Sequence, residues 1–157
     1  MTRGYQAKAR RGAWFRGAGD LDGARSALRG FEVPRLYQDS AGVWTICYGH
    51  TRGVYPGMQA TQAQCDAWLE EDIKVALEAV DRNVKVKISE TMRAALGDFV
   101  FNLGEGALRR STLLALVNAG RLFEACNEYR RWVLAGGRKL DGLVKRRAVE
   151  EWLCRMQ

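Results

Sequence analysis

The 157-residue sequence predicts an α+β fold: a small β element near residue 40, followed by a lobe of helices. Three observations carry this. A β-branched and aromatic run, Val43 to Tyr48, follows the turn-forming residues Asp39, Ser40, Ala41 and Gly42. Downstream, Thr61, Ser89 and Ser111 each stand before an apolar pattern of helical period. Finally, glycines at 104, 120 and 136–137 punctuate those patterns where helices end.

Taken in order, residues 1–29 are rich in Arg, Gly and Ala and show neither helical nor strand periodicity. They form a basic leader, with a domain expected from residue 30 to residue 157. Pro34 limits any helix running through Glu32 and Val33. Tyr37 to Thr51 reads as a hairpin, and Gly53, Pro56 and Gly57 mark a loop after it. Thr61 with Gln64 offers a capping box for a long helix of about twenty residues, with Ala63, Ala67, Ile73, Leu77 and Val80 at helical spacing. Ser89 caps a second helix with Met92, Leu96, Phe99 and Val100 as its buried stripe, broken by the stretch from Asn102 to Gly106. Ser111 caps a third, closed by Gly120. A fourth is expected from Phe123 to Leu134, stopped by Gly136 and Gly137. Asp141 is expected to cap the last helix, with Leu143, Val144, Val149, Trp152 and Leu153 inward and Arg146, Arg147, Glu150 and Glu151 outward.

Composition narrows the function. Hydrophobic residues make up 47% and charged residues 27%, ordinary for a globular domain, and no run of 18 apolar residues exists to span a membrane. No stable membrane insertion is expected. Arginines at 10, 11, 16 and 25 interrupt any apolar core of a signal peptide, so no export signal or anchor is recognised. The net charge is +7. Residues 1–30 hold seven basic against two acidic residues, +5, which leaves only +2 for the rest. A basic segment suits a polyanionic partner such as cell-wall polymer, anionic lipid or nucleic acid. Nucleic acid fits poorly, because aromatic and basic residues do not interleave on one face.

Cys47, Cys65, Cys126 and Cys154 match no CxxC signature, and His50 is the sole histidine, so neither metal nor cofactor is expected. Four cysteines allow three disulfide connectivities. The local pairs Cys47–Cys65 and Cys126–Cys154 would each staple one lobe, whereas four buried thiols would suit a reducing compartment.

The residues able to carry acid–base chemistry are Glu32, Asp39 and Thr45, with Glu105 more remote. Hydrolysis of a glycosidic bond needs a protonated acid, an ionised carboxylate and a held water. Glu32 lies between Phe31 and Pro34, where poor solvation raises a carboxyl pKa. Asp39 sits in a turn rich in backbone N–H groups, and Thr45 lies on the facing strand. On spacing alone, Asp39 equally serves as a turn former and Thr45 as a strand former.

Tyr37 to Thr51 resembles the Y-x-D-x-x-G-x-x-T-x-G-Y-G-H-T pattern of the phage-type lysozyme (muramidase) family, with Cys47 where many members carry Gly. That Cys, with the T-x-x-x-C start of the long helix at Thr61 and Cys65, is similar to a subgroup of endolysins from lambdoid-like phages. The likeness continues through Ser89 to Leu96, Phe101 to Gly104, Ser111 to Leu114, Arg131-Trp132, Ala135 to Gly137 and Gly142 to Arg147. It covers about residues 30–157.

The resemblance implies a lysozyme-like fold, with a small β-hairpin lobe and a mainly helical C-terminal lobe joined by a long helix. It also implies hydrolysis of the β-1,4 bond between N-acetylmuramic acid and N-acetylglucosamine in peptidoglycan during host lysis. The family's catalytic set is a Glu, an Asp and a Thr. Asp39 and Thr45 match two of these at the family spacing. The Glu belongs to a Glu-Gly pair about nine residues before the Asp, and here the nearest such pair is Arg29-Gly30, with Glu32 seven before Asp39. Either Glu32 is the acid in a shorter loop, or Arg29 occupies its place and the fold only binds peptidoglycan or serves as a structural phage component. Asn102 and Gly104 resemble positions lining the sugar cleft. Related endolysins often carry an apolar export segment where this chain is Arg-rich. A monomer made in the host cytoplasm is therefore expected to reach the periplasmic face of the wall through a holin-type membrane lesion.

Overall fold

A computed structural model describes residues 36–156 apart from positions 40 and 41. The basic leader at residues 1–29, Arg29 and Glu32 lie outside the described residues. The chain runs β1 (Tyr37–Gln38), β2 (Trp44–Thr45), α1 (Gln62–Asn83), α2 (Glu90–Leu103), α3 (Glu105–Arg109), α4 (Thr112–Asn118), α5 (Leu122–Asn127), a 3₁₀ turn (Glu128–Arg131), β3 (Leu134–Ala135), β4 (Arg138–Lys139) and α6 (Asp141–Arg155). The two sheets are separate antiparallel hairpins, which places the chain in the α+β class.

Helix α1 joins two cores. The capping box predicted at its start is present: Thr61 accepts from the Gln64 amide while the Gln64 side chain accepts from the Thr61 amide. Its first half contributes Cys65, Leu69 and Ile73 to a core shared with Ile46, Cys47 and Tyr48. Its second half contributes Ala76, Ala79 and Val80 to the larger core built on α2, α4 and the 3₁₀ turn. The buried stripe is therefore shifted from the sequence pattern at the N-terminal end, where Ala63 and Ala67 are exposed. Phe101 packs against both cores and ties the lobes together.

Helix α2 crosses α1 closely. A Cβ built on Gly97 would sit 2.7 Å from Leu77 Cδ2, so a larger residue there would have to displace the end of that leucine. Ser89 caps α2 through the Met92 amide, and Met92, Leu96, Phe99 and Val100 are buried as expected. The break beyond α2 is confined to Gly104, after which α3 starts at once. Ser111 caps α4 through the Leu114 amide.

Three C-terminal expectations are corrected. The fourth helix stops at Asn127, tightens into a 3₁₀ turn and gives way to the β3–β4 hairpin, whose register pairs Leu134 with Lys139 across Gly136-Gly137. Asp141 is the first residue of α6 and Leu140 its cap. The third correction is the orientation of α6, which is reversed for its charges. Arg146, Arg147, Glu150 and Glu151 are buried, while Val149 and Trp152 are 38% and 46% exposed. The physical reason is that every inward charge meets a partner. Arg146 grips Asp98 on α2 with two bonds of 2.9 Å, and Glu151 takes two of 2.6 Å from Arg130. Leu153 is buried, as its spacing suggested.

Both local cysteine pairs are bridged, Cys47–Cys65 and Cys126–Cys154, and the described residues hold no free cysteine. The first bridge fastens the N-terminal hairpin to the start of α1, and the second fastens α5 to the end of α6.

Candidate active site

The N-terminal hairpin is held by its own turn. Tyr37 pairs with Thr45 and Gln38 with Trp44. The Asp39 amide donates to the Val43 carbonyl at 3.0 Å, and Asp39 Oδ1 accepts from the Val43 amide at 2.9 Å. This mutual clasp ties one Asp39 carboxylate oxygen to the backbone just before β2. Thr45 is buried, and its hydroxyl donates to the Val43 carbonyl at 3.1 Å. One backbone residue, Val43, thus sets the orientation of both predicted side chains. With its proton committed, the Thr45 oxygen acts as an acceptor towards a further donor.

Beyond β2 the chain makes a tight loop closed by the Ile46–His50 bridge, and Cys47 within it has φ of +59°. That left-handed conformation is costly for any residue with a Cβ, by roughly 1–2 kcal/mol. It accounts physically for glycine at this position of the pattern. Here the Cys47–Cys65 bridge accompanies the cost.

His50 anchors the loop to α1. Its Nδ1 lies 2.7 Å from Asp72 Oδ2, and its ring stacks on Trp68 at 4.9 Å with the planes 7° apart. Asp72 also accepts from Arg52 at 3.2 Å. No local pattern signals this pairing, because the partners lie 22 residues apart.

Between the lobes lies a cavity of about 230 Å³, bounded by Gly49, Thr51, Asp72, Phe101, Gly104 and Glu105 among others. Gly49 and Thr51 close the hairpin motif, so its distal end forms one wall. Gly104 forms another. Its φ of +85° and ψ of 156° are open to glycine and strained for other residues. Glu105 is clasped by the Asn83 amide at 2.7 Å and by Arg82 at 2.9 Å. These bonds, Asn83's first, hold its carboxyl below the usual range, so it stays ionised and acts as a tie between α1 and α3. Among the described residues no group of His, Cys, Asp and Glu could hold a metal ion.

The structure brings Asp39 and Thr45 together on one hairpin and sets Gly104 on the cavity. Asn102 instead faces α6, its Oδ1 accepting from Arg147 Nη2 at 2.9 Å. Arg147 also donates to Glu150 at 2.7 Å and lies over the Phe99 ring at 5.4 Å. Burial, and then the nearby Asp98 carboxylate, push the Glu150 carboxyl well above the ordinary range. Burial works against ionisation of Asp98 too, but the charge of Arg146 and the bonds it receives prevail and hold it low.

A hairpin lobe and a helical lobe joined by one long helix, with a cavity between them, define a lysozyme-like fold. The muramidase domain of SpmX from Asticaccaulis excentricus superposes with a TM-score of 0.74 at 32% identity, over 84% of this chain and 94% of that one. The endolysin of Escherichia coli O157:H7 phage FAHEc1 gives 0.69 at 29%, over 83% and 89%. In sequence, the chain is 42% identical over 133 residues to the SAR-endolysin of Bacteriophage PS119, covering 84% of this chain and 79% of that protein. It is likewise 42% identical over 114 residues to the SAR-endolysin of Escherichia phage Mu, covering 73% and 67%. The family model described as Phage lysozyme matches residues 27–150. The chain belongs to the phage lysozyme family.

Proposed function

We propose that this chain is an endolysin, a glycoside hydrolase that cleaves the β-1,4 bond between N-acetylmuramic acid and N-acetylglucosamine of peptidoglycan. The domain assigned to this work is residues 30–157. The observation that carries the reading is the Val43 clasp, which ties a carboxylate and an acceptor hydroxyl to one hairpin.

A water on that hairpin gives one proton to the Thr45 oxygen in a hydrogen bond and the other to the Asp39 carboxylate. Its free lone pair then points outward, at the anomeric carbon. As the water oxygen bonds to that carbon, its proton passes to Asp39. The glycosidic C–O bond breaks, and the leaving oxygen takes the proton of Glu32. Such an inverting arrangement needs the Glu32 and Asp39 carboxyls roughly 6.5–9.5 Å apart. Gly104 lets the sugar chain approach the cavity wall, and Asn102 helps hold the end of α2 beside it. The wall is reached from the cytoplasm through a holin-type lesion, and cell fractionation without a lesion partner tests that route.

The test of the chemistry is turbidity loss of outer-membrane-permeabilised cells. Asp39→Asn and Glu32→Gln are each expected to slow lysis by about 10²–10⁴-fold, the range for loss of one acid–base group. Lysis that survives Glu32→Gln removes Glu32 from the mechanism. No lysis by the natural sequence would favour a peptidoglycan-binding protein, the reading that Arg29-Gly30 in the place of Glu-Gly supports.

A further inference from the structure

The reversal of α6 leaves a surface that the hydrolytic site does not use. With Arg146, Arg147, Glu150 and Glu151 turned inward, α6 presents Lys145, Val149 and Trp152 on one outer stripe, at i, i+4 and i+7, and Met156 just beyond the helix continues it. Val149, Trp152 and Met156 are 38%, 46% and 44% exposed. Arg155 flanks the stripe and stacks over the Phe123 ring at 4.5 Å, holding a phenylalanine that is 70% exposed beside it. The β3–β4 hairpin, which leads directly into α6, adds exposed Leu134 with Arg138 and Lys139. A single exposed leucine calls for no explanation. Large apolar side chains gathered along one helix and the elements joined to it do.

We propose that this surface docks on an anionic phospholipid bilayer, lying in the interface without crossing it. The charge pattern selects that occupant. No carboxylate among the described residues forms an ion pair with Lys145, Arg138 or Lys139. Lys145 stands in the apolar stripe and Arg138 and Lys139 in the hairpin that leads into it, as interfacial helices place lysine and arginine near Trp and Phe. Trp152 has the shape for that layer, an apolar ring with one N–H donor. A second copy of the chain is a poorer occupant, since it would add the same unpaired cations to the contact while the stripe carries no carboxylate to meet them. A soluble anionic polymer would meet the cations but leave Phe123 and Trp152 wet. Docking of this kind would hold the enzyme at the inner face of the wall.

The experiment is flotation of the full chain with vesicles of phosphatidylcholine alone or with about one third phosphatidylglycerol. The expected result is co-flotation with the anionic vesicles at low salt, weakening as salt rises. Each lysine near an anionic surface is worth about five-fold in partitioning, so Lys139→Gln with Lys145→Gln lowers it roughly 30-fold. Trp152→Ser with Phe123→Ser, each removing about half a large side chain's burial, lowers it roughly 25-fold. Circular dichroism checks the fold of both pairs, and if the aromatic pair unfolds, the lysine pair alone decides. The proposal is overturned if the natural chain fails to float or if binding survives the substitutions. It is equally overturned if Trp152→Ser abolishes a dimer in lipid-free solution. The readout is lipid binding, so its failure leaves the hydrolytic reading untouched.

Discussion

Replacing Glu150 with glutamine should do little at neutral pH, and replacing its neighbour Arg147 should do much. Both side chains are 1% exposed and joined at 2.7 Å, an arrangement usually read as a buried ion pair. Removing one partner of such a pair costs about 3–5 kcal/mol, because the other is left charged and dry. Burial and Asp98, however, raise the Glu150 carboxyl well above its ordinary range, which shifts the balance towards its neutral form. Glutamine mimics that form: its oxygen accepts from Arg147 and its NH₂ replaces the acid proton. Glu150→Gln should therefore cost within about 1 kcal/mol. Arg147→Met strips the donor from the Glu150 and Asn102 oxygens together, and two stranded acceptors at about 1–3 kcal/mol each should cost about 3–5 kcal/mol. For a domain of this size that lowers Tm by roughly 6–20 °C. The pH dependence carries the sign. A raised carboxyl means the folded state holds a proton that the unfolded state has released. The stabilisation is complete below the ordinary glutamate pKa and is lost as pH rises through the folded value, about 1.4 kcal/mol for each unit of displacement. Urea unfolding against pH should show this decline from the ordinary glutamate pKa upward, and Glu150→Gln should flatten it. Asp98 works in the opposite sense, adding stability that disappears on acidification. If Glu150→Gln costs 3 kcal/mol or more at neutral pH and the decline persists, Glu150 is ionised and the reasoning fails.

The Cys47–Cys65 bridge spans 18 residues of sequence and on chain-entropy grounds adds about 3 kcal/mol, against roughly 1–2 kcal/mol for the left-handed Cys47. Cys47→Gly with Cys65→Ala should thus lose only about 1–2 kcal/mol in urea unfolding, whereas Cys47→Ala with Cys65→Ala should lose about 3. Gly104→Ala tests a different strain: nothing lies within 4 Å of the added methyl, so its cost of about 1–3 kcal/mol is purely conformational and should appear in thermal unfolding.

What the sequence made legible was whatever is decided locally. The caps at Thr61, Ser89 and Ser111 are short-range hydrogen bonds between residues three apart, and they form where the pattern places them. The Asp39–Gly42 turn is equally local. The site was legible to the same depth: the motif placed Asp39 and Thr45 on one hairpin, but gave no hint that Asn102 turns towards Arg147 or that His50 meets Asp72. Those contacts join residues 22 to 45 positions apart, and a period cannot report them. The reversal of α6 shows the limit most sharply. Both of its faces recur at helical spacing, one apolar and one charged, so periodicity finds the helix without saying which face is inside. Hydrophobic burial favours one answer by a few kcal/mol. Asp98 and Asn102, half-buried on α2, favour the other, because unpaired they would be stripped of water without a partner. The outcome depends on partners that the helix's own sequence does not contain. The exposed Val149 and Trp152 follow from the same choice: once the charges are satisfied within, these two side chains turn to the surface while Leu153 stays buried.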